Sequence, residues 1–171
     1  TKAIYDAMVE MYKKQPNLDI RTSTSMNNQA YSTPIPIAFL AGKLARVTAS
    51  TKVYEPTAGN GLLTINASPQ NVLAVEMDTR RAANLRIMEF MVKQGDATKA
   101  VENGFIKNEW PDAVLANPPF GPLDEDARVD GYLIRSIDHL IAAKALAVLP
   151  ANGRAVLILA ANAKEGVIPN K

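Results

Sequence analysis

The sequence VYEPTAGNGLL, at residues 53–63, is the best indication of the fold, because a short apolar run leads directly into a segment with two glycines. Glycine accepts a positive φ and lets the backbone approach a ligand closely. We predict a strand over Lys52–Glu55 and a ligand-binding loop over the PTAGNG stretch that follows. The same order of strand, polar loop and helix then recurs along the chain.

Four further strands are predicted from short apolar runs. They are NVLAVE (71–76), residues 90–94, PDAVLA (111–116) and RAVLILA (154–160), with helices predicted over 79–88 and 132–149. Apolar rather than alternating strands are expected where helices cover both faces of a parallel sheet. The sequence therefore predicts an α/β fold with a doubly wound, mostly parallel open sheet, which binds ligands beyond the carboxyl ends of its strands.

Two helices are predicted before the first strand. An apolar stripe marks a helix over residues 3–14, and the polar stretch 17–32 is predicted to be a loop. Thr33 is expected to cap a second helix, with Pro34 as its first residue and an end near Val47. The residues that this second helix is expected to bury are Ile37, Leu40, Ala41 and Leu44. In the helix over 132–149, the buried side is expected to include Leu133 and Ile134.

Composition excludes several classes of protein. The chain has 171 residues, of which 47% are hydrophobic, so we expect one globular domain. It has no apolar run of bilayer length, and its first residues lack the pattern of a signal peptide, so neither a membrane span nor a leader is expected. Cysteine is absent and His139 is the only histidine. We therefore expect no metal site and no thiol or Ser-His chemistry. The net charge of +2 is too small to indicate nucleic-acid binding by itself.

The residues at the first strand ends suggest a nucleoside ligand without a pyrophosphate. The glycine loop lacks the third glycine of the dinucleotide motif, since Thr64 stands in its place. Glu55 is expected to hold a cationic group. Glu76 is placed to accept hydrogen bonds from ribose hydroxyls, with Met77 as an apolar wall, or else these two are a surface carboxylate and a core methionine. Asp96 either accepts from an exocyclic amino group or caps a turn.

Asn117-Pro118-Pro119-Phe120 is the most specific motif in the sequence. Proline has no N–H and holds the backbone extended, so the Asn117 amide oxygen and the Pro118 carbonyl are presented as two acceptors. An amino group is the partner that needs two acceptors and no donor. Phe120 offers a ring on which a flat base can stack, or else the two prolines only end a strand and Phe120 is a core residue. The position of the motif after a strand of this fold, beside the glycine loop, favours the functional interpretation. The acidic stretch 124–126 is expected to be a mobile, solvated loop rather than a metal site, and His139 to have a solvated or capping role.

These motifs together resemble the amino-methyltransferases that use S-adenosylmethionine, specifically the N6-adenine DNA methyltransferases with an Asn-Pro-Pro-aromatic motif. Tyr31-Ser32-Thr33-Pro34 resembles their opening motif, and Gly95-Asp96-Ala97 resembles their adenine-binding turn. More narrowly, the chain is similar to methylase modules of phage and plasmid proteins that also carry a strawberry-notch type helicase. The resemblance spans about residues 28–160.

The resemblance implies a Rossmann-like class I methyltransferase over residues 31–171, preceded by an N-terminal helix and loop over 1–30. The family's last two strands and its target-recognition region are not found, so we expect an incomplete domain. The implied cofactor residues are Tyr31, Thr33, Pro34, Glu55, Thr57, Ala58, Gly59, Gly61, Glu76, Met77, Asp96, Ala97 and Asn117. The implied catalytic residues are Asn117, Pro118, Pro119 and Phe120.

The expected reaction is methyl transfer from S-adenosylmethionine, without a metal, to N6 of an adenine flipped out of DNA. Helicase or target-recognition regions are expected elsewhere in the full-length chain, in a cytoplasmic bacterial, phage or plasmid protein. The same motif would also serve cytosine N4, guanine N2 in RNA or glutamine side chains in proteins. A further alternative is a cofactor-binding module that has lost catalysis.

Overall fold

A computed structural model describes residues 1–15 and 33–160. The helices in these ranges are α1 (Lys2–Lys14), α2 (Ile35–Leu44), α3 (Thr79–Ile87) and α4 (Ile137–Ala147). The strands are β1 (Val53–Glu55), β2 (Val72–Glu76), β3 (Met91–Gln94), β4 (Ala113–Ala116), β5 (Pro122–Val129), β6 (Tyr132–Ser136) and β7 (Arg154–Leu157). The stretch 17–32, predicted as loop, and Tyr31 in it lie outside the described residues.

The strands form a five-stranded parallel sheet in the order β3-β2-β1-β4-β7. The chain runs outward from β1 to β3 and then returns to the other side of β1. The direction of winding therefore reverses between β1 and β4, where a parallel sheet opens a crevice at its carboxyl edge. All five predicted strands are present, each ending or beginning within a few residues of the expected position.

Side chains alternate between two hydrophobic clusters, one on each face of the sheet. Tyr54 and Val114 belong to the cluster that α4 covers, whereas Val53 and Ala113 belong to the cluster that α2 covers. Helix α3 covers Ala74 on the second face. Because both faces are buried, β1, β2 and β4 have no exposed residue, which explains their continuous apolar sequences.

Helix α2 packs through its small residues and Phe39, whereas three of its large aliphatic residues are exposed. Ala38, Ala41 and Gly42 are buried, whereas the exposed fractions of Ile37, Leu40 and Leu44 are 44%, 40% and 73%. The prediction was right for Ala41 and wrong for the other three. A Cβ on Gly42 would lie 2.7 Å from the side chain of Asn66, so the small residues are what allow the close approach.

Residues 122–136 form an antiparallel hairpin of β5 and β6, which the sequence analysis did not predict. The predicted helix over 132–149 was wrong in its first turn, because Tyr132–Ser136 is a strand and α4 begins at Ile137. The stretch 124–126 is also not a loop, since it lies on β5 with its three acidic side chains exposed. Asp130 and Gly131 have φ values of 49° and 84° and form the two-residue turn.

Helix α1 lies against α2, and none of its residues is buried. Within the described ranges, no helix is long and apolar enough to cross a membrane.

Candidate active site

The glycine loop and the Asn-Pro-Pro-Phe motif meet at the crevice between β1 and β4. Glu55 is the last residue of β1, and Asn117 directly follows Ala116 at the end of β4. These two strands are paired in parallel register. The structure therefore brings together two of the predicted motifs at the edge where they were expected.

A hydrogen bond joins Thr33 of the opening motif to Asn117. The Asn117 Nδ2 donates to the Thr33 Oγ1 at 3.0 Å, between residues that are 84 positions apart in the chain. Thr33 is buried, with 8% of its surface exposed, and it directly precedes Pro34, which caps α2. The Asn117 amide donor is thus used within the protein, and its Oδ1 is left to act as an acceptor.

A small cleft opens beside this hydrogen bond. Its lining residues are Thr33, Glu55, Thr57, Ala58, Gly59, Asn60, Leu62, Leu63 and Asn117. Its cavity volume of about 30 Å³ suits one small charged group such as an ammonium. The larger part of a nucleoside ligand would have to lie across the open edge of the sheet.

Two buried oxygen atoms in this cleft have no hydrogen-bond partner among the residues that the structure describes. They are the Glu55 Oε2 and the Thr57 Oγ1. Burial raises the pKa of the Glu55 carboxyl well above its usual range, the Thr64 hydroxyl opposes that shift in part, and the nearby Glu76 adds to it. Buried polar atoms are nearly always satisfied in folded proteins, so these two fit a ligand that brings a donor.

Glu76 holds the glycine loop in place. Its Oε2 accepts from the Gly59 N–H at 2.7 Å, and its Oε1 accepts from the Asp78 N–H at 2.8 Å. Glu76 is 8% exposed, so it is not the surface carboxylate of the alternative interpretation. Each of its oxygens retains a second lone pair with which it can accept from a ligand hydroxyl.

The two glycines of the loop both need positive φ, but only one is packed. Gly59 has φ of +57° and faces open space, so its backbone is accessible to a ligand. Gly61 has φ of +76°, and a Cβ there would lie 2.8 Å from the Phe90 ring and 2.9 Å from the Leu85 side chain. The loop is therefore open at Gly59 and closed against the protein at Gly61. Ala58 is buried, and its N–H donates to the carbonyl of Val75.

The residues after β3 are outside the cleft. The Asp96 Oδ1 accepts from the N–H and the hydroxyl of Thr98, each at 2.8 Å, so Asp96 caps a 3₁₀ turn over Ala97–Lys99. Its other oxygen is not used in these bonds. Ala97 is buried, whereas Met77 is 64% exposed at the same edge, so Met77 is not a core residue.

Beyond Asn117, Pro118 is buried, whereas Pro119 and Phe120 are half-buried. Phe120 is therefore not a buried core residue, and part of its surface is accessible. Gly121 directly follows the motif, and its carbonyl accepts from the Ile137 N–H at 2.9 Å. This bond joins the motif to the start of α4.

Asp138 is a buried acid that the sequence analysis did not single out. It lies in the first turn of α4, is 1% exposed, and its Oδ2 accepts from the Ala160 N–H at 3.0 Å. It ties the end of the β7 segment to the helix behind the Asn-Pro-Pro-Phe motif. An acid in a first helical turn is a common sequence feature, so only the burial distinguishes it. The neighbouring His139 is half exposed.

Within residues 1–15 and 33–160, no group of three or more His, Asp or Glu side chains lies close enough together to hold a metal ion.

No family model and no curated protein matches the chain. Solved structures do. A candidate RNA methyltransferase from Pyrococcus horikoshii is 20% identical with a TM-score of 0.55, over 86% of this chain and 70% of that one. TrmN from Thermus thermophilus is 23% identical with a TM-score of 0.53, and the match covers 74% of this chain but only 38% of TrmN. The chain therefore has the Rossmann-like fold of class I methyltransferases, which confirms the predicted fold class.

Proposed function

We propose that the chain transfers a methyl group from S-adenosylmethionine to an exocyclic amino group, with N6 of adenine in DNA as the first candidate. The observation that carries this proposal is the meeting of Thr33, Glu55 and Asn117 in one cleft at the point where the winding of the sheet reverses. Similarity of the fold to class I methyltransferases supports it.

The residues around the cleft fit the parts of this cofactor. The unpartnered Glu55 Oε2 and Thr57 Oγ1 would accept from its ammonium group, and the open backbone at Gly59 would lie against the methionine part. Glu76 would accept from the ribose hydroxyls and Asp96 from the adenine amino group. When bound, S-adenosylmethionine supplies a methyl group on a positively charged sulfur, which a nitrogen lone pair can attack.

The acceptor side consists of Asn117, Pro118 and Phe120. An exocyclic amino nitrogen is a poor nucleophile because its lone pair is delocalised into the ring. The Asn117 Oδ1 and the Pro118 carbonyl would accept its two hydrogens, which orients the nitrogen and localises the lone pair towards the methyl. This is catalysis by positioning and electrostatics. Phe120 would stack on the base, which in a duplex must first be flipped out of the helix.

An amino group in RNA is the second candidate substrate. The observation that favours it is the name of the Pyrococcus horikoshii neighbour, a candidate RNA methyltransferase. The chemistry required of Asn117 and Pro118 is the same, because guanine N2 and cytosine N4 are also delocalised amino groups. A glutamine side chain in a protein presents the same kind of group.

The test is methylation by the full chain with labelled S-adenosylmethionine. The substrates are an adenine-containing duplex, the corresponding single strand, a structured RNA and a glutamine-containing peptide. The Asn117→Ala variant should lose about 10²- to 10³-fold in single-turnover rate, because it lacks one oriented acceptor. Cofactor affinity, measured by calorimetry, should change far less.

The outcomes separate the alternatives. Transfer to the duplex alone supports the DNA adenine reaction, and transfer to RNA alone supports the second candidate. Cofactor binding without transfer to any of the four substrates contradicts the proposal and favours a non-catalytic module. Methylation by Asn117→Ala at the parent rate contradicts the amino-group mechanism.

A further inference from the structure

We infer that Thr33 is a positioning residue, whose hydroxyl holds the Asn117 amide in the orientation that leaves the amide oxygen free for the target amino group. This inference rests on the proposed function. It gives Thr33 a role in the reaction that is different from contact with the cofactor.

The geometry of the contact supports this role. A side-chain amide has a donor nitrogen and an acceptor oxygen of nearly the same size, and rotation about its last bond exchanges them. A partner that accepts from the nitrogen favours the orientation in which the oxygen faces away from that partner. Thr33 provides that partner, because its Oγ1 accepts from the Asn117 Nδ2 at 3.0 Å.

Thr33 is itself held in a fixed place. It is 8% exposed, and it enters α2 through Pro34, whose carbonyl accepts the first hydrogen bond of the helix from Ala38 at 3.0 Å. Its β-branched side chain has restricted χ1 rotation. The Thr33 hydroxyl is therefore held in a fixed position beside the end of β4. In the alternative orientation the Thr33 hydroxyl would donate to the Asn117 Oδ1 instead, and the N–H donors of the amide would face a substrate group that also donates.

Thr33→Val and Thr33→Ser are the matched variants for the test. Valine keeps the shape and removes the hydroxyl, whereas serine keeps the hydroxyl. With saturating S-adenosylmethionine and the amino substrate that the full chain methylates, Thr33→Val should slow single-turnover transfer roughly tenfold. Thr33→Ser should stay close to the parent rate. The dissociation constant of the cofactor should remain unchanged in both.

A double-mutant cycle separates positioning from an independent effect. In the Asn117→Ala background, Thr33→Val should cause no further loss of rate, because the group that it orients is already absent. A further loss of similar size there would overturn the inference. So would a loss of cofactor affinity without a loss of rate, which would make Thr33 a cofactor ligand. A faster Thr33→Val variant would mean that the hydroxyl donates to the Asn117 oxygen and blocks it.

A second measurement does not depend on activity. The side-chain NH₂ signals of Asn117 in a ¹⁵N NMR spectrum can be identified by their absence in Asn117→Ala. In Thr33→Val they should shift and exchange with solvent faster, and in Thr33→Ser they should stay near the parent positions. If no substrate is methylated, the proposed function fails, and unchanged NH₂ signals in Thr33→Val would show separately that the contact itself is wrong.

Discussion

The glycine loop follows β1 and the β5–β6 hairpin follows β4, both at the carboxyl edge of the sheet. The two segments differ in the contacts that hold them in place. The first is held by buried side chains, since Glu76 accepts from Gly59 and Gly61 packs against Phe90. The hairpin is held mainly by its own ladder, and Tyr132 at its turn is 77% exposed. A change in the loop should therefore affect the whole domain, whereas a change in the hairpin should remain local.

The largest effect on stability is expected at Gly61. Gly61→Ala should lower the free energy of unfolding by about 2–3 kcal/mol, because alanine is strained at positive φ and its Cβ meets Phe90 and Leu85. Gly59→Ala is the matched control. Gly59 also has a positive φ but faces open space, so a loss of about 1 kcal/mol in the free energy of unfolding is expected. Urea unfolding measures both, and equal losses would contradict the packing argument.

Glu76→Gln should cost about 2 kcal/mol in unfolding free energy, because one of its two N–H partners would then face an amide NH₂ group instead of a carboxylate oxygen. Cofactor affinity should fall as well. Glu125→Gln on the hairpin is the control, since Glu125 is exposed and its loss should change stability by less than about 0.5 kcal/mol. An unchanged stability of Glu76→Gln would mean that the carboxylate does not hold the loop.

Glu55→Gln should change the pH dependence of stability. Burial raises the pKa of Glu55 well above the ordinary value of 4.5, so the folded protein keeps a proton that the unfolded chain releases. The stability from this group is complete below the unfolded pKa and is lost as pH rises towards the folded pKa. The stability of Glu55→Gln relative to the parent should therefore improve as pH rises above about 4.5. Urea unfolding at several pH values tests this, and a constant difference would contradict it.

A smaller and more local effect is expected in the hairpin turn. Gly131 has φ of +84° with open space around it, so Gly131→Ala should cost about 1 kcal/mol. The loss should be confined to the hairpin. Amide hydrogen exchange should quicken in β5 and β6 and stay unchanged in β1, β2 and β4. Faster exchange throughout the sheet would show that the hairpin is coupled to the core.

The central strands β1, β2 and β4 could be predicted from the sequence because both faces of the sheet are buried there. Apolar runs such as 72–76 and 113–116 have no polar interruption, and they end in polar or glycine residues that mark the strand ends. The hairpin was missed because Leu133, Ile134 and Ile137 also fit a helical stripe. The Asp130-Gly131 pair, a strong signal for a two-residue hairpin turn, was the observation that would have corrected it.

For the candidate site, the sequence could predict only which residues follow the ends of strands. The position of a residue after a strand gives its edge of the sheet, and this brought Glu55 and Asn117 together correctly. Which atoms bond to which could not be predicted. The contacts of Thr33 with Asn117 and of Asp138 with Ala160 join distant parts of the chain. Hydrophobic periodicity carries no information about such long-range polar pairs.

The hydrogen bond between the Gly121 carbonyl and the Ile137 N–H has a consequence for the evolution of this fold. It brings the two ends of the hairpin to one point, directly after the Asn-Pro-Pro-Phe motif. A shorter, longer or wholly different segment can be inserted between these two anchors without moving β4 or α4, since loop closure becomes only slightly more costly with length. The position is thus suited to the exchange of inserted segments that leave the carboxyl edge of the sheet unchanged.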